Sequence, residues 1–342
     1  MDKIVLSIII PVYGVEKYIK KCLNSVIPQM TDVCELVIVD DCTPDHSIEI
    51  CRSIISECRE KKINIIQREK NEGLSAARNT GIEHATGKYC WFIDSDDYIL
   101  DGAIQRVLNV LDNSFVDLLC FDHTRNKEDG TTIPTLTSVP EMIELSSDKD
   151  KLRVMGRYLL GVWGFEVWRK VFSLDLIKKN NIYFEPNKEI FAEDICFLLH
   201  YITFCNKIRI VPEKNYCYLI RNDSIMGMKK CKLIEMVNLS KKQADYYHRI
   251  KNFDYLFFVM PRLFEIELTP LTPNAAVMCM DLPEKALVLN TLKNPLRGIG
   301  MRFYLYKKKS TLHQILLMYY VRNILRGKRT SIIESMCKMV EK

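Results

Sequence analysis

Residues 94–97 read Asp-Ser-Asp-Asp. Three carboxylates within four residues repel one another unless a cation or hydrogen-bond donors compensate. A hard divalent ion with oxygen ligands would do so and would also bind a diphosphate. The ordinary alternative is the start of a helix, where acidic residues are favoured. Two further polar clusters close apolar runs: Pro11-Val12-Tyr13 follows Leu6–Ile10, and Asp40-Asp41 follows Leu36–Val39. Other chemistries find no support. The six histidines form no H-x-x-x-H pair, and G-x-S-x-G and G-x-x-x-x-G-K-[ST] are absent. Gly73 and Gly81 lack dinucleotide-site spacing.

These clusters need elements to hold them. Leu6–Ile10, Leu36–Val39, Ile63–Ile66, Tyr89–Ile93 and Asp117–Phe121 are short apolar runs that predict buried strands. Between them, Lys17–Ile27, about 45–58, Gly73–His84 and Leu100–Leu111 have helical spacing. Alternating strands and helices predict an α/β sheet covered on both faces. Ligands of such sheets bind beyond the carboxyl ends of the strands. All three polar clusters would meet at that edge. Residues 124–150, polar and Pro-containing, read as an irregular connection. From about 232 the chain reads as mainly helical.

Four segments in order, Pro11-Val12-Tyr13 with Glu16 to Val26, Glu35 to Asp41, Asn71 to Gly81, and Phe92 to Asp97, resemble glycosyltransferase family 2. The resemblance covers about residues 4–125 and continues more weakly to about 225. One departure is Cys42-Thr43-Pro44-Asp45, where the family often has Gly-Ser. The resemblance implies a GT-A fold, Rossmann-like, with a mainly helical C-terminal extension. It implies inverting transfer of a sugar from a nucleotide diphosphate, with UDP favoured. Pro11, Val12 and Tyr13 would line the base. Glu16 and Asp40 or Asp41 would accept its hydrogen bonds, and Arg78, Asp94 and Ser95 would complete the nucleotide side. Asp96, helped by Asp94, would hold Mn²⁺ or Mg²⁺. Asp194, in the family's Glu-Asp position, would be the general base, supported by Glu193. Trp163 would face the acceptor, and Arg221 or Ser224 would reach the diphosphate.

The 342 residues are 48% hydrophobic and 27% charged, which excludes a disordered or fibrous chain. The expected organisation is a glycosyltransferase domain over 1–225, with a nucleotide-binding half (1–125) and an acceptor half (126–225). A helical, basic region follows over 226–342. Thirteen cysteines without C-x-x-C spacing predict a reducing compartment and no disulfide framework. No run reaches the ~18 apolar residues of a spanning helix, which predicts a cytoplasmic protein, peripheral at the inner face of the membrane. The net charge is +6, yet residues 285–333 carry 11 basic and no acidic residues, interleaved with aromatic and aliphatic ones. That tail suits an anionic membrane surface. Nothing else in the chain suggests nucleic acid. Resemblance to capsule and cell-envelope enzymes implies a lipid-linked oligosaccharide or glycan acceptor. The alternatives are a nucleotidyltransferase, against which the lack of a Gly-rich basic loop at 11–16 counts, and a non-catalytic sugar- or nucleotide-binding module.

Overall fold

The computed structural model describes residues 3–58, 60–159, 163–190 and 193–221, with 239, 242, 243, 245–247, 249 and 250. It divides into two compact units. The first comprises Met1–Lys151, Phe165–Asn187 and Glu193–Lys229.

Four parallel strands form one side of its sheet: β1 (Leu6–Val12), β2 (Cys34–Asp40), β3 (Ile63–Gln67) and β4 (Tyr89–Phe92), in the order β3-β2-β1-β4. Every residue of β1, β2 and β4 is buried, as expected of strands covered on both faces. Helices α1 (Ile19–Val26), α2 (Ser47–Ser56) and α3 (Leu74–His84) connect them. Helix α1 buries Ile19, Cys22, Leu23 and Val26, a stripe at helical spacing. Helix α3 lies so close to β1 that a Cβ on Gly81 would sit 2.2 Å from Ile9 Cγ2. Only glycine permits that approach.

Beyond β4 the sheet becomes mixed. After β5 (Tyr98–Ile99) and α4 (Ala103–Asn113) come β6 (Leu118–Lys127), β7 (Thr132–Ile133), β8 (Glu141–Glu144) and α5 (Asp148–Leu159). Then follow β9 (Lys170–Ser173), α6 (Leu174–Lys179), α7 (Glu193–Phe204) and β10 (Lys207–Ile220). Strand β9 runs antiparallel between β4 and β6, and β10 pairs parallel with β6. Consequently β1, β2, β4, β6 and β10 all end at one edge. A core of Ile8, Ile10, Leu36, Trp91, Leu119 and Val171 runs across both halves, and the Trp91 indole N–H donates to the Trp168 carbonyl at 2.7 Å.

Two expectations are corrected. The helix expected from Leu100 begins at Ala103, because Tyr98 and Ile99 pair with Cys217 and Tyr216 and the Leu100 N–H donates to the Asn215 carbonyl. Gly102, in the left-handed region, makes the turn into the helix. The stretch 124–150 is also more regular than its polar composition suggests. Strand β6 continues to Lys127 against Thr124↔Cys217 to Lys127↔Ile220, and β8 pairs with β10 from Glu141 to Glu144. Both pairings depend on β10, 93 positions after these β6 partners and 63 to 69 after those of β8, which a local reading does not contain. The ten described cysteines form no disulfide, and Cys90, Cys120 and Cys217 are buried.

The second unit comprises Leu152–Gly164, Lys188–Ala192 and Lys230–Lys342. Within it, Trp163 meets Tyr158 edge-on at 5.1 Å, Arg157 lies 4.9 Å from the Trp163 ring, and Lys242 pairs with Glu189 at 3.3 Å. Most of the expected helical region, including the basic tail at 285–333, lies outside the described residues. No helix among the described residues is long and apolar enough to cross a membrane.

Candidate active site

The polar clusters lie at the ends of β1, β2 and β4. Pro11 and Val12, the last residues of β1, are buried, while Tyr13 just beyond them is half exposed. The loop after β2 is latched to the loop after β1. Gly14 N–H donates to Thr43 Oγ1 (2.8 Å), Val15 N–H to Ser47 Oγ (3.1 Å) and Glu16 N–H to Asp45 Oδ2 (2.9 Å). The Glu16 carboxylate accepts from His46 N–H in return. Burial raises the pKa of Asp45, but hydrogen bonds from Ser47, Thr43 and Glu16 outweigh it and bring it to about 2. The Thr43-Pro44-Asp45 departure from the family pattern therefore builds this latch. Asp40 accepts from Thr43 N–H. Asp41 is buried and accepts from Arg68, Glu72 N–H and Gly73 N–H, so it holds the entry to α3. Gly73 has φ +95°, and a Cβ there would meet Asn187 Oδ1 at 2.5 Å.

The Asp94–Asp97 segment follows β4. Asp94 and Asp96 keep about a fifth of their side chains accessible (22% each), whereas Ser95 and Asp97 are buried. Asp97 accepts from the Tyr216 hydroxyl and Leu219 N–H, both at 2.7 Å. The same hydroxyl accepts Asp94 N–H at 3.1 Å. Tyr216 stacks on Trp168 at 4.5 Å. Burial, then the charges of Asp96 and Asp94, push the Asp97 pKa well up. Arg221, directly after β10, pairs with Asp96 at 2.8 Å.

Asp194 lies in the first turn of α7. Its Oδ1 accepts from Arg78 at 2.8 Å and its Oδ2 from Val167 N–H at 3.2 Å. Arg78 also pairs with Asp94 (2.8 Å) and Glu193 (3.1 Å). One guanidinium thus joins the carboxylates of two distant segments. Burial pushes the Asp194 pKa up to about 7; Arg78 opposes this, while Glu193 and Asp94 add to it. One cation in this cluster faces three anions. A base poised near neutrality can take a proton from a hydroxyl and release it to water.

The sequence-derived residues thus divide into three groups. Asp94, Arg78, Glu193 and Asp194 converge directly, and Asp96 and Arg221 join them through the Asp94–Asp97 segment. Pro11, Val12, Tyr13, Glu16, Asp40 and Asp41 line the ends of β1 and β2. Trp163 belongs to the second unit, and Ser224 lies outside the described residues. Sequence reasoning did not assign the contacts that Asp97, Tyr216 and Val167 make here. Asp97 stood inside the quoted acidic run, but the roles of Tyr216 and Val167 depend on contacts that no local pattern records.

Asp94 and Asp96 fit a hard divalent cation by donor chemistry: Mg²⁺ is commonly held by one or two carboxylates together with substrate phosphates and water. Among the described residues no three His, Cys, Asp or Glu side chains gather in a metal-holding group.

A model of glycosyl transferase family 2 matches residues 7–174, which include the three strand-end clusters and Arg78. The glycosyltransferase EpsJ of Bacillus subtilis, described as uncharacterized, is 31% identical over 220 residues, 62% of this chain and 60% of that protein. The poly(ribitol-phosphate) beta-N-acetylglucosaminyltransferase TarS of Staphylococcus aureus is 30% identical over 225 residues, 64% of this chain and 36% of that one. The chain thus spans about three fifths of EpsJ and about a third of TarS. The crystal structure of TarS residues 1–349 with UDP-GlcNAc superposes with a TM-score of 0.67 at 22% identity, covering 98% of this chain and 92% of that one. A mannosyltransferase from Pyrobaculum calidifontis, solved with GDP-Man and Mn²⁺, superposes at 0.51 with 15% identity over 96% and 89%. Both superpositions agree with the mixed sheet described above, a GT-A fold. With its strand-edge carboxylates inside the matched span, the chain carries a glycosyltransferase family 2 domain over residues 7–174.

Proposed function

We propose that this glycosyltransferase moves a sugar, with inversion, from a UDP-linked donor to a hydroxyl of a cell-envelope polysaccharide or its lipid-linked precursor. The observation that carries the reading is the Asp194 carboxylate, shared between Arg78 and Val167 N–H, 19% accessible and raised toward neutrality. In the reaction an acceptor oxygen bonds to the anomeric carbon while the bond to the diphosphate oxygen breaks. The electron pair leaves with the diphosphate, and the acceptor proton passes to Asp194.

Tyr13 offers a half-exposed ring to the base, with Glu16 and Asp40 at the same rim. Asp96 and Asp94 would hold Mg²⁺ or Mn²⁺, which supplies positive charge to the departing diphosphate. Arg221, at the end of β10, adds a guanidinium on that side. The UDP donor is supported by TarS, solved with UDP-GlcNAc, and the envelope acceptor by the poly(ribitol-phosphate) in its name. The basic, aromatic stretch 285–333 would hold the enzyme at an anionic membrane surface on the cytoplasmic side, near a lipid-linked acceptor. A chain ending before residue 285, still folded, should lose binding to anionic vesicles; equal binding would remove that role.

The family match sets the nucleotidyltransferase alternative aside. A non-catalytic module is tested by turnover. Incubation with a panel of UDP-sugars, with and without Mn²⁺, should release UDP. A folded protein that binds UDP and releases none from any sugar nucleotide would favour the binding module.

A further inference from the structure

We propose that Arg78 is a positioning residue for the general base, setting the separation of Asp194 from Asp94, and does not ligate the nucleotide. The inference rests on the glycosyl-transfer reading above.

Arg78 is 1% exposed in the middle of α3. Its guanidinium lies over the Phe184 ring, 5.2 Å from the centroid. Phe184 is itself fixed. Its N–H donates to Asn79 Oδ1 (2.8 Å), its carbonyl accepts from Asn79 Nδ2 (2.9 Å), and its ring stacks on Phe197 of α7 at 4.0 Å. The residue after Arg78 and the helix that carries Asp194 therefore fix the ring beneath the guanidinium. Its two terminal nitrogens serve two segments, one bonding Asp94 and the other Asp194 and Glu193. Nε is buried without an acceptor, so the hydrogen bonding is concentrated on the arms that face the carboxylates. A planar fork with hydrogen bonds on both arms keeps the two bonded carboxylate oxygens within about 8 Å of each other. That separation spans the donor side and the base side of the reaction. A guanidinium enclosed in this way has no exposed face for a base or phosphate. Its work is orientation, where errors of an ångström cost about 10²-fold in rate.

The test is Arg78→Lys in the full chain. It keeps the charge and loses the fork. Three quantities are compared with wild type: UDP affinity by calorimetry, kcat and donor KM for UDP-sugar turnover, and the melting temperature. The expected result is a fall in kcat of about 10²-fold, with UDP affinity and donor KM within about twofold. A loss of UDP affinity with kcat retained would make Arg78 a nucleotide ligand and overturn the inference. Unchanged kcat would overturn it too. If the lysine variant does not fold, Phe184→Leu decides. That change leaves the charge and removes the ring, and the expected fall is about tenfold in kcat with UDP affinity intact. Unchanged kcat in Phe184→Leu would likewise overturn the inference. A folded wild type that turns over no sugar nucleotide would bring down the parent reading, and the inference with it; the other outcomes bear on Arg78 alone.

Discussion

The two halves of the sheet set their functional side chains in different ways. In the parallel half, chemistry follows directly from strand ends: Tyr13 comes one residue after β1, Asp41 one after β2 and Asp94 two after β4. A buried parallel strand delivers whatever follows it to the same edge, so position along the chain is nearly position in the site. In the mixed half, Asp194 lies in the first turn of a helix instead. Its orientation comes from Arg78, 116 positions earlier, and from the backbone of Val167, 27 positions earlier. Nucleotide recognition should therefore survive changes in the mixed half that abolish turnover, whereas changes at the strand ends should weaken binding itself.

The largest expected effect separates the halves most cleanly. Asp194→Asn preserves shape and leaves an oxygen for Val167 N–H, so UDP affinity should be unchanged while kcat falls by about 10²–10⁴-fold. Retained turnover would remove Asp194 from the chemistry. The reciprocal variant, Asp96→Asn, should erase the Mn²⁺ dependence of UDP binding, about 10–100-fold in calorimetry, as expected for damage to a metal site. Undiminished metal dependence would place the ion elsewhere.

Gly81→Ala probes the scaffold beneath both. The added methyl would meet Ile9 2.2 Å away and force α3 off β1, costing about 1–3 kcal/mol in a chemical-denaturation series. No loss of stability would mean that helix and strand separate freely there. The dependence on pH is gentler. Transfer needs Asp194 unprotonated, and its raised pKa near 7 means the proton is taken up as pH falls through neutrality. The profile of kcat/KM should be flat above about pH 8 and fall below 7, approaching tenfold per unit. A profile level down to pH 5 would mean an ordinary carboxylate. The smallest effect is expected at Cys42, which has φ +55°. Cys42→Gly should relieve left-handed strain and stabilise by about 0.5–1 kcal/mol, leaving UDP affinity unaltered. A loss of affinity would give the thiol a part in the base pocket.

The same contrast decides what could be read from the chain. The strands at Leu6, Leu36 and Tyr89, and the acidic clusters that end two of them, were legible because burial on both faces writes continuous apolar runs. The acidic pair before Ile195 was legible as a motif. The devices that aim it were not. Tyr216 looks like any strand aromatic until its hydroxyl is found between Asp94 N–H and Asp97. Asn79 looks like a surface helix residue until it clasps the backbone of Phe184. Strands β5, β7 and β8 are two to four residues long and exist through pairing with β6 or β10. Propensity over so short a window cannot foresee a partner. The polar 124–150 stretch misled for the same reason, since its strands pair at the open side of the sheet and need no apolar alternation.

The most direct measurement is UDP binding by calorimetry, with and without Mn²⁺, with GDP run in parallel on the same folded protein. Binding of UDP that tightens with Mn²⁺ and exceeds that of GDP is the expected result, joining the Tyr13 rim and the Asp94–Asp96 carboxylates in one donor site. Preference for GDP would contradict the donor assigned here, and binding of neither would contradict the site itself.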